Sequence, residues 1–87
     1  MQDQLKRASI SVVLNIAEGV GRFTKADKSH FYIISRGSAF EVIAVLQIIA
    51  NQYSVDPNVL CHLRADFKEV VKMLFGLIKN VSPKPIL

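Results

Sequence analysis

Residues 31–49 read FYIISRGSAFEVIAVLQII, and this stretch decides the fold. At about 100° per residue, its apolar side chains fall nearly all around a helix, with Arg36 and Gln47 on a narrow polar edge. A helix that is apolar on all sides is normally buried on all sides. We therefore expect this helix to be central, and to be covered in part by a surface outside the chain.

Two further helical segments lie on either side of it in the sequence, and no strand-like alternation competes with them. The pattern predicts helices over about 3–20, 27–53 and 57–80, within one domain that spans residues 1–87. Because the connections are short, consecutive helices are expected to pack antiparallel. The predicted fold class is therefore all-α, with three long antiparallel helices.

Local signals mark where these helices begin and end. Gly19 and Gly21 are expected to stop the first helix by left-handed or capping backbone geometry. Thr24 and Asp27 are alternative N-caps for the second helix. Asp56, followed by a proline, is a strong start signal for the third helix.

Composition narrows the class of protein. The 87 residues are 51% hydrophobic and 21% charged, which suits one small globular core. Glu41 and Gln47 interrupt the longest apolar stretch, so we expect no membrane span. The first residues lack the apolar run of a secretory signal, and Cys61 is the single cysteine, so a cytoplasmic protein without disulfides is expected.

Two sequence blocks carry a family resemblance. QLKRASISV at 4–12 and NIAEGVGR at 15–22 are followed by Phe31, by Gly-Ser at 37–38 and by Glu41. Together they resemble the signature of the small bacterial four helix bundle proteins, also called 23S rRNA intervening-sequence proteins. That family implies a four-helix up-and-down bundle, of which the first helix is missing here. Either the chain is truncated, or a neighbouring subunit supplies the missing cover.

The resemblance also implies an assembly and its partners. Family members form rings, with a pentamer as the known form, and their genes lie within insertions of bacterial 23S rRNA genes. A related branch is the accessory protein of diversity-generating retroelements, which associates with a reverse transcriptase and nucleic acid. We therefore expect a homo-oligomer that binds RNA or a reverse-transcriptase-type partner.

Polar residues among the apolar ones predict a structural cluster. The helical neighbours of Glu41 are mostly apolar, and a buried unpaired carboxylate costs several kcal/mol. We expect Glu41 and Ser38 to meet polar groups of the first helix such as Arg7 or Arg22. The predicted cluster comprises Asn15, Glu18, Ser38 and Glu41. The small residues at 37–39 predict close approach of another helix rather than a ligand pocket.

The net charge of +4 and the pI near 9.5 weakly favour a polyanionic partner. Six basic residues cluster toward the first helix and the turn after it: Lys6, Arg7, Arg22, Lys25, Lys28 and Arg36. One interpretation is a phosphate-binding surface. The alternative is an ordinary solvated surface, with Glu18 and Arg22 as a pair four residues apart.

No residue pattern supports catalysis or metal binding. His30, His62 and Cys61 do not form a metal-ligand spacing, and no phosphate loop, nucleophile elbow or nuclease motif is present. We expect no enzyme, cofactor or small-molecule substrate. The leading hypothesis is an oligomeric scaffold, and the alternative is a helix-turn-helix-like DNA-binding regulator, although the predicted helices are long for that class.

Overall fold

Three α-helices form the described part of the protein. The computed structural model describes residues 2–81. Helix α1 spans Gln2–Val20, α2 spans Lys25–Gln52 and α3 spans Pro57–Val81, and no strand occurs between residues 2 and 81. The predicted all-α fold is confirmed. The largest difference from the predicted bounds is at α2, which begins two residues earlier than expected.

The helix starts follow local capping chemistry. The side chain of Thr24 accepts a hydrogen bond from the backbone N–H of Asp27 at 3.1 Å, so Thr24 rather than Asp27 is the N-cap of α2. The carboxylate of Asp56 accepts from the backbone N–H of Asn58 at 2.9 Å, with Pro57 at the first position of α3. Both starts therefore depend on neighbours within three residues.

Consecutive helices run antiparallel, and α2 contacts both of the others. Toward α1, the buried Ser35 hydroxyl donates to the Val12 carbonyl at 2.8 Å. Toward α3, the Arg64 guanidinium donates a hydrogen bond to Gln47 at 2.6 Å, and the Arg36 guanidinium lies over the ring of Phe75. The later residue of α2 thus contacts the earlier residue of α3, as expected for antiparallel helices. No Cα atoms of α1 and α3 lie within 8 Å of each other in the described chain.

The core lies along one side of α2 and consists of two clusters. One holds the largest buried side chains of α3 together with residues from α1 and α2: Val12, Tyr32, Ala39, Val71, Leu74 and Ile78. The other lies nearer the start of α1: Ala8, Val42, Leu46 and Leu60. The Cα radius of gyration is 14.2 Å, against about 12 Å expected for a compact chain of this length. The long helices therefore form an elongated body.

Gly19 has a different role from the one predicted. No described residue has a positive φ, so neither Gly19 nor Gly21 ends α1 by left-handed geometry. Instead, a Cβ built on Gly19 lies 2.5 Å and 2.8 Å from two ring carbons of Tyr32. Tyr32 is 4% exposed and belongs to the core, so its ring has little room to move. Gly19 is needed because α2 approaches α1 closely at this point.

We predict that Gly19→Ala lowers the free energy of unfolding by about 1–3 kcal/mol, because the added methyl group overpacks the core. Gly76→Ala is the matched control, since a Cβ there meets nothing within 4 Å and the change favours a helix by about 1 kcal/mol. Denaturant unfolding at one fixed protein concentration measures both. A Gly19→Ala protein as stable as the wild type would contradict the role assigned to Tyr32.

The apolar content of α2 corrects one sequence expectation. An 18-residue window of α2 has a mean hydropathy of 1.6, so this helix is long and apolar enough to cross a membrane by length and composition. Glu41 and Gln47 therefore do not bring α2 below that level, and the reason given for expecting no membrane span was wrong. One such helix is weak evidence for a membrane span, because the mostly buried core helix of a soluble protein passes the same test; in α2, 28% of this window is buried.

Candidate functional site

A polar junction joins α1 and α2 near their midpoints. The hydroxyls of Ser11 and Ser38 lie 2.7 Å apart and share a hydrogen bond. The Asn15 amide donates both to the Ser11 hydroxyl at 3.0 Å and to the Ser11 carbonyl at 2.8 Å. Two predicted cluster residues, Asn15 and Ser38, are thus connected through Ser11. Sequence reasoning left Ser11 out of the site, although it lies four residues before Asn15 on the polar stripe of the first helix.

The contribution of the hydrogen bond between the two serines to the free energy of unfolding can be measured. We predict a coupling of about 0.5–1.5 kcal/mol between Ser11→Ala and Ser38→Ala in a double-mutant cycle of unfolding free energies. Ser54→Ala, in the exposed turn after α2, provides the control cycle with Ser11→Ala and is expected to be additive. Additivity of the Ser11 and Ser38 changes would show that the bond contributes nothing to stability.

An open cleft of about 630 Å³ lies beside this junction. Its lining includes Arg7, Ser11, Ser38 and Glu41, with Asp3, Gln4 and Ala8 at the start of α1. The expected burial of Glu41 was wrong, because its side chain is exposed. Glu41 lies at the open edge of α2 beside the start of α1, where Arg7 and Asp3 line the same cleft, so water reaches this carboxylate. The two ion pairs of the described chain, Arg22–Glu18 and Lys72–Glu69, do not involve it.

Gly37 also differs from its prediction. It is exposed, and a Cβ built on it meets nothing within 4 Å, so no helix of this chain approaches there. The small residue that does pack closely is Ala39, which is fully buried. The reason is rotational: Ala39 lies on the side of α2 that faces the core, and Gly37 lies on the opposite side.

Glu18 lies outside the polar junction and pairs with Arg22. The Arg22 guanidinium donates to the Glu18 carboxylate at 2.9 Å and stacks over the ring of Phe31 at 4.7 Å. Both charged side chains are about half exposed, so water weakens their attraction. This arrangement matches the ordinary surface pair that was the alternative interpretation of these two residues.

The six predicted basic residues do not form one surface. Lys6 and Arg7 lie near the start of α1, about 20 Å along the helix from its end at Val20. Arg36 is on α2, where its guanidinium lies 4.7 Å from the ring centre of Phe75. The other three basic residues, Arg22, Lys25 and Lys28, are grouped at the turn between α1 and α2.

This turn carries a fully exposed aromatic ring. Phe23 is 100% exposed and lies between Arg22 and Lys25 in the sequence. The Lys28 ammonium donates to the Val20 carbonyl at 3.0 Å and to the Gly19 carbonyl at 3.3 Å, which holds its charge against the end of α1. We call Arg22, Phe23, Lys25 and Lys28 the turn surface. It combines cations with an aromatic face, as nucleic-acid-binding surfaces do.

Two apolar surfaces face away from the core. The α1 stripe comprises Ile10, Val13, Leu14, Ala17 and Val20, spaced by three or four residues. The α2 outer face comprises Ile33, Ile34, Gly37, Phe40, Ala44 and Ile48, again at helical spacing. Val13 is 65% exposed and Phe40 is 49% exposed. Such contiguous apolar surfaces mark interaction sites more often than ordinary solvated surface.

Side chains that could ligate a metal are scattered over the described part of the chain. Within residues 2–81, no group of three or more His, Cys, Asp or Glu side chains is placed to hold a metal ion. Cys61 is exposed, and His30 and His62 lie on different helices. The described residues present a polar cleft, the turn surface and apolar faces on α1 and α2.

The fold defines a small all-α protein of three antiparallel helices in the described part of the chain. Residues 1–76 match the family model of the 23S rRNA-intervening sequence protein. The chain belongs to this family, and the predicted family is thus confirmed. No curated protein and no solved structure matches the chain in the corresponding comparisons.

Proposed function

We propose that the protein is a non-enzymatic helical scaffold that assembles as a homo-oligomer and binds RNA, or a nucleic-acid-processing partner, through its turn surface. The observation that carries this proposal is the imbalance of apolar side chains. In residues 2–81, sixteen large hydrophobic side chains are exposed, whereas eleven hydrophobic residues are buried. Exposed apolar surface of this extent favours burial by another protein surface.

The distribution of these side chains supports self-association more than scattered surface exposure. Isolated exposed apolar residues are normal on any protein. Here, however, the exposed residues of α1 and α2 follow helical spacing over several turns each. A surface of this form fits another helix, and every copy of the chain carries two such surfaces.

The polar groups support a structural rather than a catalytic role. Ser11 and Ser38 bond to each other, and neither histidine lines the cleft beside them. A nucleophilic serine needs a base within hydrogen-bond reach, which this junction lacks. The proposal therefore assigns these residues to joining α1 and α2.

The turn surface supports the nucleic-acid part of the proposal. The turn surface carries three cations, Arg22, Lys25 and Lys28. Two acids lie nearby in the sequence, Glu18 and Asp27, so the local net charge of one copy is +1 (3 − 2). Exposed Phe23 adds a ring on which a base can stack. An assembly repeats this weak surface several times, and a long RNA can contact several copies together.

We predict that the wild-type particle in solution contains at least two copies, so that its mass is twice 9.7 kDa or a higher multiple. The five copies implied by the family resemblance give 48.5 kDa (5 × 9.7). Sedimentation equilibrium over a range of protein concentrations measures this mass without a shape assumption. A well-folded monomer at every concentration would contradict the scaffold, and a dimer that prefers duplex DNA would favour the DNA-binding alternative.

We predict that Phe23→Ala and Lys25→Ala each weaken binding of a single-stranded RNA oligonucleotide, the former by about tenfold, because base stacking is worth about 1–3 kcal/mol. The expected affinity also falls as salt rises, since phosphate contacts release counterions. Fluorescence anisotropy with labelled RNA measures both effects.

Two matched variants control for loss of aromatic area and of charge. Tyr53→Ala removes a half-exposed ring from the turn at the other end of α2, and Lys68→Ala removes one exposed charge from α3. Both are expected to bind RNA as the wild type does. Equal losses in the control and test variants would refute a specific role for the turn surface.

A further inference from the structure

We infer that the α1 stripe of one copy packs onto the α2 outer face of the next copy, in a head-to-tail contact. The inference rests on the proposed assembly and names the two surfaces that form it. It follows from the shape and the charge of the exposed faces, and it excludes the two simpler self-pairings, α1 with α1 and α2 with α2.

The two surfaces have complementary shapes. The centre of the α2 outer face holds the small residues Gly37 and Ala44, with the larger Phe40 and Ile48 beside them, so this face is lowest along its centre. The α1 stripe instead presents the branched side chains Ile10, Val13 and Leu14, which form a ridge. Ridges of one helix pack into grooves of another. Two α1 stripes would place ridge against ridge.

The spacing on both surfaces suits a helix-on-helix seam. On α1, positions 6, 10, 13, 17 and 20 alternate by four and three residues. On α2, positions 33, 37, 40 and 44 follow the same alternation. This alternation keeps apolar residues on one line along two paired helices. The α1 line spans about 20 Å and the α2 outer face about 22 Å.

Glu41 determines which pairing is allowed. Its neighbours at three, four and seven residues include Ile34, Gly37, Ala44 and Ile48, so any surface that covers this face also encloses the Glu41 carboxylate. Glu41 also lies at the middle of the 33–48 span. Pairing of two α2 outer faces about a two-fold axis therefore brings two Glu41 carboxylates together. Like charges enclosed in an apolar contact are strongly unfavourable.

Arg7 of the same chain lines the cleft with Glu41, and the α1 stripe of a second copy brings a further cation. Lys6 is exposed and lies on the same line, four residues before Ile10. On α3, by contrast, Asp66 lies on one line with the exposed Val59 and Met73, seven residues from each. An α3 surface would thus add an anion beside Glu41. Charge complementarity selects the α1 stripe as the occupant of the α2 outer face.

The test blocks one surface at a time and then mixes the variants. Val13→Glu blocks the α1 stripe and Phe40→Glu blocks the α2 outer face, while Met73→Glu is the control at an equally exposed position on α3. In a head-to-tail contact, each blocked variant alone is a monomer of 9.7 kDa. In an equimolar mixture, the α2 outer face of Val13→Glu binds the α1 stripe of Phe40→Glu. The other two surfaces stay blocked, so the complex is a dimer of 19.4 kDa (2 × 9.7). Met73→Glu keeps the wild-type mass.

A second pair of variants guards against unfolding, which circular dichroism monitors in all samples. Gly37→Leu fills the low centre of the α2 outer face at a position where the chain itself leaves open space, and Ala17→Glu alters the exposed stripe. Their mixture is expected to give the same 19.4 kDa (2 × 9.7) species. A charge exchange adds an independent measurement: Lys6→Glu and Glu41→Lys each lower the assembled fraction, and the two together restore it.

Different results overturn different statements. A monomeric wild type refutes the proposed assembly itself. An oligomeric wild type with Val13→Glu at full mass, or with blocked variants that do not combine on mixing, refutes the head-to-tail contact alone. If the wild type is monomeric and floats with phosphatidylcholine vesicles while Phe40→Glu does not, the α2 outer face binds lipid and the inference is wrong.

Discussion

One geometric constraint governs this molecule: two helices cannot cover all sides of a third. Helix α2 is apolar nearly all around, yet α1 and α3 both pack along one side of it. That side is fully used, because Ser35, Ala39 and Val42 are completely buried and the Ser35 hydroxyl bonds to α1. The opposite side remains in water with its isoleucines and Phe40 about half exposed. Burying each remaining half is worth roughly 1 kcal/mol.

The position of Glu41 on the uncovered side of α2 follows from that constraint. In the isolated chain its carboxylate is exposed and pays no desolvation penalty. In the inferred head-to-tail contact, the same residue is enclosed beside Arg7 of its own chain and faces Lys6 of the next copy. A single negative charge on an apolar surface disfavours pairing of that surface with itself, while it allows pairing with a surface that carries a lysine. The carboxylate therefore contributes specificity rather than stability.

The sequence predicted those features that depend on near neighbours. Thr24 and Asp56 cap their helices through bonds to residues two or three positions away, and a pattern of residues shows such contacts directly. The environment of Glu41 could not be predicted, because helical spacing identifies its neighbours on α2 but not the side from which α1 and α3 approach. Gly19 shows the same limit: its contact with Tyr32 joins residues thirteen positions apart on different helices. The basic residues were close in sequence, but helix α1 separates Lys6 from the turn.

The proposed assembly and the proposed nucleic-acid binding are linked by the small charge of the turn surface. A local excess of +1 (3 − 2) in one copy gives little attraction for a polyanion, because Glu18 and Asp27 offset two of the three cations. Repetition changes this, since contacts made by linked copies act at a high effective concentration along one RNA. The apolar faces do not touch the nucleic acid in this arrangement. In the proposed assembly, they would control binding by determining how many turn surfaces one particle presents.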